Sequence, residues 1–135
     1  MAFFKYNNIK VAGVACAVPK NIILTETYKS LFGDEEVEKF MEMTGVRSSH
    51  RTLEHQTCSD RGFRAASELL AHKGVKPEEI GAVIFSSHSP DYRRPATAFV
   101  LQYRLGIPKE AVCYDISLGC SSLVVGMQTV ASIIN

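Results

Sequence analysis

A chain of 135 residues, 46% hydrophobic and 21% charged, suits one soluble globular domain with a sizeable core. Its net charge of +1, with Lys and Arg scattered rather than clustered, excludes the long-range field that would gather nucleic acid or an anionic membrane. The four cysteines (Cys16, Cys58, Cys113, Cys120) form no C-x-x-C and no zinc-finger spacing with histidine. The four histidines (His50, His55, His72, His88) form no H-E-x-x-H, so no metal is expected and the thiols are read as reduced, in a cytoplasmic protein. The first residues lack the basic stretch and continuous apolar core of a signal peptide.

Residues 9–18 are rich in Val, Ala and Ile and stop at Pro19, which predicts a largely buried strand. Thr25 offers an N-cap for a short helix carrying Tyr28, Leu31 and Phe32, ended by Gly33. Asp34 caps the next helix, in which Val37, Phe40, Met41 and Thr44 share one face, and Gly45 stops it. The polar residues 46–53 read as a loop or an exposed edge strand. Thr57 and Asp60 have capping-box spacing ahead of an amphipathic helix that ends at Gly74, with Pro77 beyond. Residues 82–86 form an unbroken apolar run, which predicts a strand covered on both faces within a parallel sheet. Residues 88–94 form a loop, Pro95 opens a helix to Gly106, and residues 111–116 form another strand. A last helix, from about Cys120 to the end, is apolar round most of its circumference and is expected to be buried on all sides. It is too short to span a membrane, which takes about 20 apolar residues. Strands separated by helices predict an α/β domain with a mainly parallel sheet. The apolar final helix, without a polar tail, reads as part of a longer chain.

The stretch Tyr114 to Leu123 combines a strand, a tight turn of small residues and a cysteine at the first turn of a helix. Helix N-termini present unpaired N–H groups and partial positive charge, which favour thiolate over thiol. The same N–H groups can donate to an oxyanion when a thiolate attacks a thioester carbonyl. By composition alone Cys120 reads as a small buried residue; its placement argues for a nucleophile. Cys16 and Cys113 read as core residues. Cys58, near a helix start, shares the low-pKa argument without further support. His88, at the C-terminal end of a strand, is a candidate substrate contact or a solvated loop residue. Arg47 is an anion anchor or a structural ion-pair partner. Arg93 and Arg94 dock an acidic partner or are simply solvated.

Asp115-Ile116-Ser117-Leu118-Gly119-Cys120-Ser121-Ser122 resembles the nucleophile segment of the β-ketoacyl-acyl-carrier-protein synthase III family of condensing enzymes. Thr44-Gly45-Val46-Arg47 resembles the family's T-G-I-R segment. Residues 59–74, 80–84 and 95–106 resemble the helix, strand and helix that follow it. The resemblance covers essentially the whole chain. It implies a thiolase-like βαβαβ half, residues 1–135 forming the N-terminal domain of a longer two-half enzyme, with a buried nucleophile-bearing helix. It implies that Cys120 takes an acyl group from a thioester as a covalent intermediate. In the family a His and an Asn from the second half then serve decarboxylative condensation with malonyl-acyl-carrier protein, so this stretch alone is expected to be inactive in condensation. None of its four histidines takes that role. The implied substrates are acyl-CoA or acyl-carrier-protein thioesters, with no tightly bound cofactor. The implied partners are acyl carrier protein and a second copy, paired through residues 113–116.

Three departures bear on specificity. The family's CoA-binding Trp and Arg are replaced by Lys39 and Met43, which points to a carrier-protein-bound or atypical primer. Ser122 stands where a glycine is common and narrows the expected acyl channel. Arg94 occupies a loop that in the family reaches the partner subunit's acyl pocket, which suggests a different acyl group. Two alternatives to condensation are a non-decarboxylating acyl transferase of the same fold and a non-catalytic binding module.

Overall fold

The computed structural model of the protein describes residues 4–134, which divide into two units. In the first, residues 18–56, β1 (Asn21–Leu24) pairs antiparallel with β2 (Ser48–Arg51), with Asn21 opposite Arg51 and Leu24 opposite Ser48. The polar residues 46–53 thus supply an edge strand, exposed as their composition requires. Between the strands lie a 3-10 turn (Thr25–Tyr28), α1 (Lys29–Phe32) and α2 (Asp34–Thr44). Thr25 is not an N-cap. It is buried, its hydroxyl donates to the Val46 carbonyl (2.9 Å) and its N–H to that of Arg47 (2.9 Å), so strand pairing has claimed it. Gly33, rather than Asp34, holds the capping position of α2, and Asp34, Glu35 and Glu36 fill the first turn, where the helix dipole favours acids. The predicted face is partly realised: Val37 and Met41 are buried, while Phe40 stays about half exposed. Gly45, at φ +71°, ends the helix in the left-handed conformation expected of it.

The second unit comprises residues 4–17 and 57–134. The strand predicted over residues 9–18 does not form; the first strand among the described residues is β1 instead. Apolar composition makes a strand only where another backbone offers a ladder, and none of the described strands pairs with these residues. Val11 and Val14 are therefore exposed, and so is Cys16, which was expected in the core.

The rest follows the predicted order. The helix α3 (Cys58–Lys73) ends at Gly74 in the left-handed conformation. The predicted capping box of Thr57 and Asp60 is present, and Asp60 accepts the Thr57 N–H at 2.9 Å. Strands β3 (Ala82–Ser86) and β4 (Val112–Ile116) pair parallel, from Ala82 opposite Val112 to Ser86 opposite Ile116. The helix α4 (Thr97–Leu105) makes the crossover that parallel strands need. Helices lie on both faces of β3, α3 and α4 against Phe85 and α5 against Ile84, as the unbroken apolar run predicts, and most of the strand is half-buried between them. The core sits under α4, where Ala98 and Leu101 are buried and a Cβ on Gly62 of α3 would meet Leu101 and Phe85 at 3.5–3.6 Å. Arg104 locks α4 to α3: it pairs with Asp60 (2.8 Å), donates to Ser59 Oγ (3.1 Å) and lies over the Phe63 ring (4.4 Å).

Two further expectations are corrected. Pro95 is not the first residue of α4; the Arg94–Pro95 peptide bond is cis and the helix starts at Thr97. The final helix, α5 (Ser122–Ile134), is not buried on all sides. Ser122, Gly126 and Ala131 are buried, while Leu123, Val124, Met127 and Ile134 are each more than half exposed. Small residues face the sheet, where Gly126 allows close approach to Ile84 and Ile116; Leu123, Met127 and Ile134 line an open apolar concavity of about 540 Å³ with residues 9–14. Among the described residues no helix is long and apolar enough to cross a membrane.

Candidate active site at the mouth of the parallel sheet

Parallel pairing brings the C-terminal ends of β3 and β4 to one edge, and the site is built from the two loops that leave it. The Ser87 N–H donates to the Ile116 carbonyl (3.2 Å), carrying the ladder one residue past the strands. Beyond β4 the chain turns through Gly119, at φ +67°, into a single 3-10 turn (Gly119–Ser121) that leads into α5. Cys120 occupies this turn and is exposed.

The turn is held by its own hydroxyls. Ser121 Oγ donates to the Leu118 carbonyl (2.9 Å) and Ser122 Oγ to that of Gly119 (2.6 Å). Ser122 in turn accepts a short hydrogen bond from Ser86 Oγ at the end of β3. The buried Ser122 side chain is therefore committed to tying the cysteine turn to the sheet.

Asp115, one residue before the end of β4, has a role the sequence did not reveal. Its carboxylate accepts from the backbone N–H groups of Thr97 (2.7 Å) and Ala98 (2.8 Å). It thus caps α4 from another strand, across a sequence separation that local pattern cannot reach. The strand that positions Cys120 is thereby fixed to the helix beside it.

His88 follows β3 by two residues and meets the cysteine turn. A Cβ on Gly119 would lie 3.0 Å from His88 Nε2 and 3.5 Å from Cε1. The imidazole thus fills the space that Gly119 leaves, one residue from Cys120. Of the four predicted site residues, Cys120 and His88 are brought together. Arg94 is exposed further along the loop that His88 opens. Arg47 is also exposed and belongs to the smaller unit, where its carbonyl anchors Thr25. Among the described residues it makes no ion pair, so the structural pairing considered for it is not seen.

The other thiols differ in environment. Cys58, the first residue of α3, contacts Ser89 Oγ (3.4 Å), Arg61 Nη2 (3.1 Å) and Ser87 Oγ (3.8 Å). The Ser89 contact foremost, with Ser87 and Arg61, holds its thiol below the ordinary range despite partial burial. Burial pushes the Cys113 thiol of β4 up. No group of three or more His, Cys, Asp or Glu among the described residues is placed to hold a metal ion. A separate concavity of 560 Å³ in the smaller unit, lined by Tyr28, Phe32, Val37, Phe40 and Arg51, carries apolar surface and no nucleophile.

No protein-family model matches the chain. Sequence relatives do. A β-ketoacyl-[acyl-carrier-protein] synthase III of Clostridium acetobutylicum is 28% identical over 128 residues, 95% of this chain and 38% of that protein. One of Symbiobacterium thermophilum is 31% identical over 91% of the chain and 37% of that protein. Among solved structures, a 3-oxoacyl-(acyl-carrier protein) synthase of Burkholderia xenovorans superposes with a TM-score of 0.82 at 34% identity, over 90% of this chain and 36% of that one. The chain spans little more than a third of the length of the curated relatives it matches. In sequence and in its thiolase-type fold, the chain belongs with the β-ketoacyl-acyl-carrier-protein synthase III family.

Proposed function

We propose that Cys120 is the acyl-accepting nucleophile of a condensing acyltransferase. The observation that carries this reading is its exposed position in the turn that opens α5, at the end of a parallel strand. The thiolate attacks the carbonyl carbon of an acyl thioester, and the N–H groups opening α5 suit the developing oxyanion. The new bond joins Cys120 sulfur to the acyl carbon; the bond to the leaving sulfur breaks, and the released thiol carries the proton that Cys120 gave up. In the full protein the acyl group then passes to malonyl-acyl-carrier protein, with loss of carbon dioxide, giving a 3-oxoacyl thioester and regenerating the thiol. His88 contacts the substrate beside Cys120. Arg94 serves as a further substrate contact and suits an acidic carrier protein; Arg47, in the smaller unit, is kept as an anion anchor in its own right. The edge of β4 that no described strand pairs suits pairing with a second copy.

Intact-mass measurement after incubation with a short acyl-CoA tests the nucleophile. The expected result is one acyl adduct on Cys120, lost in Cys120→Ser and retained in Cys58→Ser. An adduct confined to Cys58, or none at all, sinks the proposal. In the full-length protein, acyl-enzyme formation without carbon dioxide release from malonyl-carrier protein favours the non-decarboxylating transferase.

A further inference from the structure

Resting on that reading of Cys120, we propose that Asp91 is a positioning residue of the site: it fastens the loop after β3 to the N-terminus of α3, and so seats His88 against the cysteine turn.

Residues 87–91 leave the edge of the sheet between two anchors. At the first, the Ser87 N–H holds the Ile116 carbonyl (3.2 Å), and Ser87 Oγ accepts the Ser89 N–H (3.0 Å). At the second, the Asp91 carboxylate spans the first turn of α3. Its Oδ1 accepts the Ser59 N–H (3.1 Å) and its Oδ2 the Thr57 hydroxyl (2.8 Å). Asp91 thereby satisfies one of the orphan donors at this helix start, from a residue 32 positions away. Between the anchors, Ser87 and Ser89 both face Cys58 Sγ, at 3.8 and 3.4 Å. His88, lying between these two serines, is turned the other way, onto Gly119. The support beneath is firm: Ser59 is almost wholly buried, and Arg104 binds both Ser59 Oγ and Asp60.

A loop tethered at both ends holds a side chain in one place at little entropic cost during reaction, which is what a contact beside a nucleophile requires. With the α3 anchor removed, the segment keeps only its sheet end. His88 then samples positions away from Gly119, and the substrate carbonyl at Cys120 loses that neighbour.

The test compares the unsubstituted chain with Asp91→Ala, Thr57→Val and Thr57→Ser. Two readouts are used: the nuclear Overhauser contact between the His88 ring and the Gly119 Hα protons, and the rate of Cys120 acylation by a short acyl-CoA, followed on the Cys120 peptide. The expected result is loss of the contact and severalfold slower acylation in Asp91→Ala and in Thr57→Val, with both restored in Thr57→Ser, which keeps the hydroxyl. Retention of the contact in Asp91→Ala overturns the proposal. So does equal loss in Thr57→Ser and Thr57→Val, or a lost contact with unchanged acylation. If Asp91→Ala does not fold, the Thr57→Val and Thr57→Ser pair decides by the same criteria. Absence of any acyl adduct on the unsubstituted chain counts against the nucleophile assignment instead, and the His88–Gly119 contact still decides whether Asp91 seats the histidine.

Discussion

Gly119 has two independent reasons to lack a side chain. Its φ of +67° lies in the left-handed region, where an L side chain costs about 1–2 kcal/mol, and a Cβ there would press on the His88 ring. Gly45 has only the first reason, since its φ is +71° and nothing lies within 4 Å of a Cβ. Both Gly119→Ala and Gly45→Ala are therefore expected to lose about 1–2 kcal/mol in urea unfolding, yet only Gly119→Ala should alter Cys120 acylation. Equal acylation rates in the two variants would show that His88 yields freely. Ser122 invites a second comparison. Ser122→Ala removes the donor to the Gly119 carbonyl and the acceptor for Ser86, and should cost about 1 kcal/mol. Adding Ser86→Ala should cost little more, since the two side chains act as one unit and their effects do not add. Denaturant midpoints of the single and double variants check this.

At the scale of the elements, two helix starts in the larger unit, those of α3 and α4, are secured by carboxylates from elsewhere in the chain. Asp115 on β4 caps α4, where Thr97 and Ala98 are fully buried and no solvent can replace it. Asp115→Ala is expected to lose about 2 kcal/mol, the upper end for a lost cap, read as a lower urea midpoint with an unchanged slope. The start of α3 carries a pH dependence. The Thr57 N–H and then Arg104 hold Asp60 below the ordinary carboxylate range. For Asp91, burial works the other way, but the donors Ser59 and Thr57 outweigh it and its carboxyl is also lowered. A carboxylate whose folded pKa is depressed stabilises the fold fully above its unfolded value, about 3.9. That stabilisation is lost as pH falls through the lower folded value. The melting temperature should thus hold from neutral pH into mild acid and fall below about pH 4. Asp60→Asn should flatten that fall; calorimetry across the range measures both.

For the whole molecule, the chief physical consequence is the outward apolar face of α5. Leu123, Val124, Met127 and Ile134 are each more than half exposed on one helix, and a contiguous exposed apolar patch favours association. The chain should therefore bind a hydrophobic dye and self-associate. The double change Leu123→Gln with Met127→Gln should reduce both with little effect on the urea midpoint, because neither side chain is buried; light scattering and dye fluorescence report the outcome. Much of this molecule was legible in the sequence. Gly45, Gly74 and Gly106 ended helices where expected, because only a residue without Cβ takes the left-handed turn cheaply. The apolar runs at 82–86 and 111–116 became paired parallel strands, and the small-residue turn placed Cys120 at the head of the final helix. These are local matters of backbone sterics and hydrophobic pattern, and the sequence by itself determined them. The tertiary structure alone decided that residues 9–18 have no ladder, that α5 buries one stripe, and that His88 rests on Gly119. It also decided that Asp91 and Asp115 cap helices 32 and 18 residues away. Each of these depends on which backbone or side chain arrives from a distant part of the chain, and a hydrogen bond or a buried face exists only when its second partner is in place.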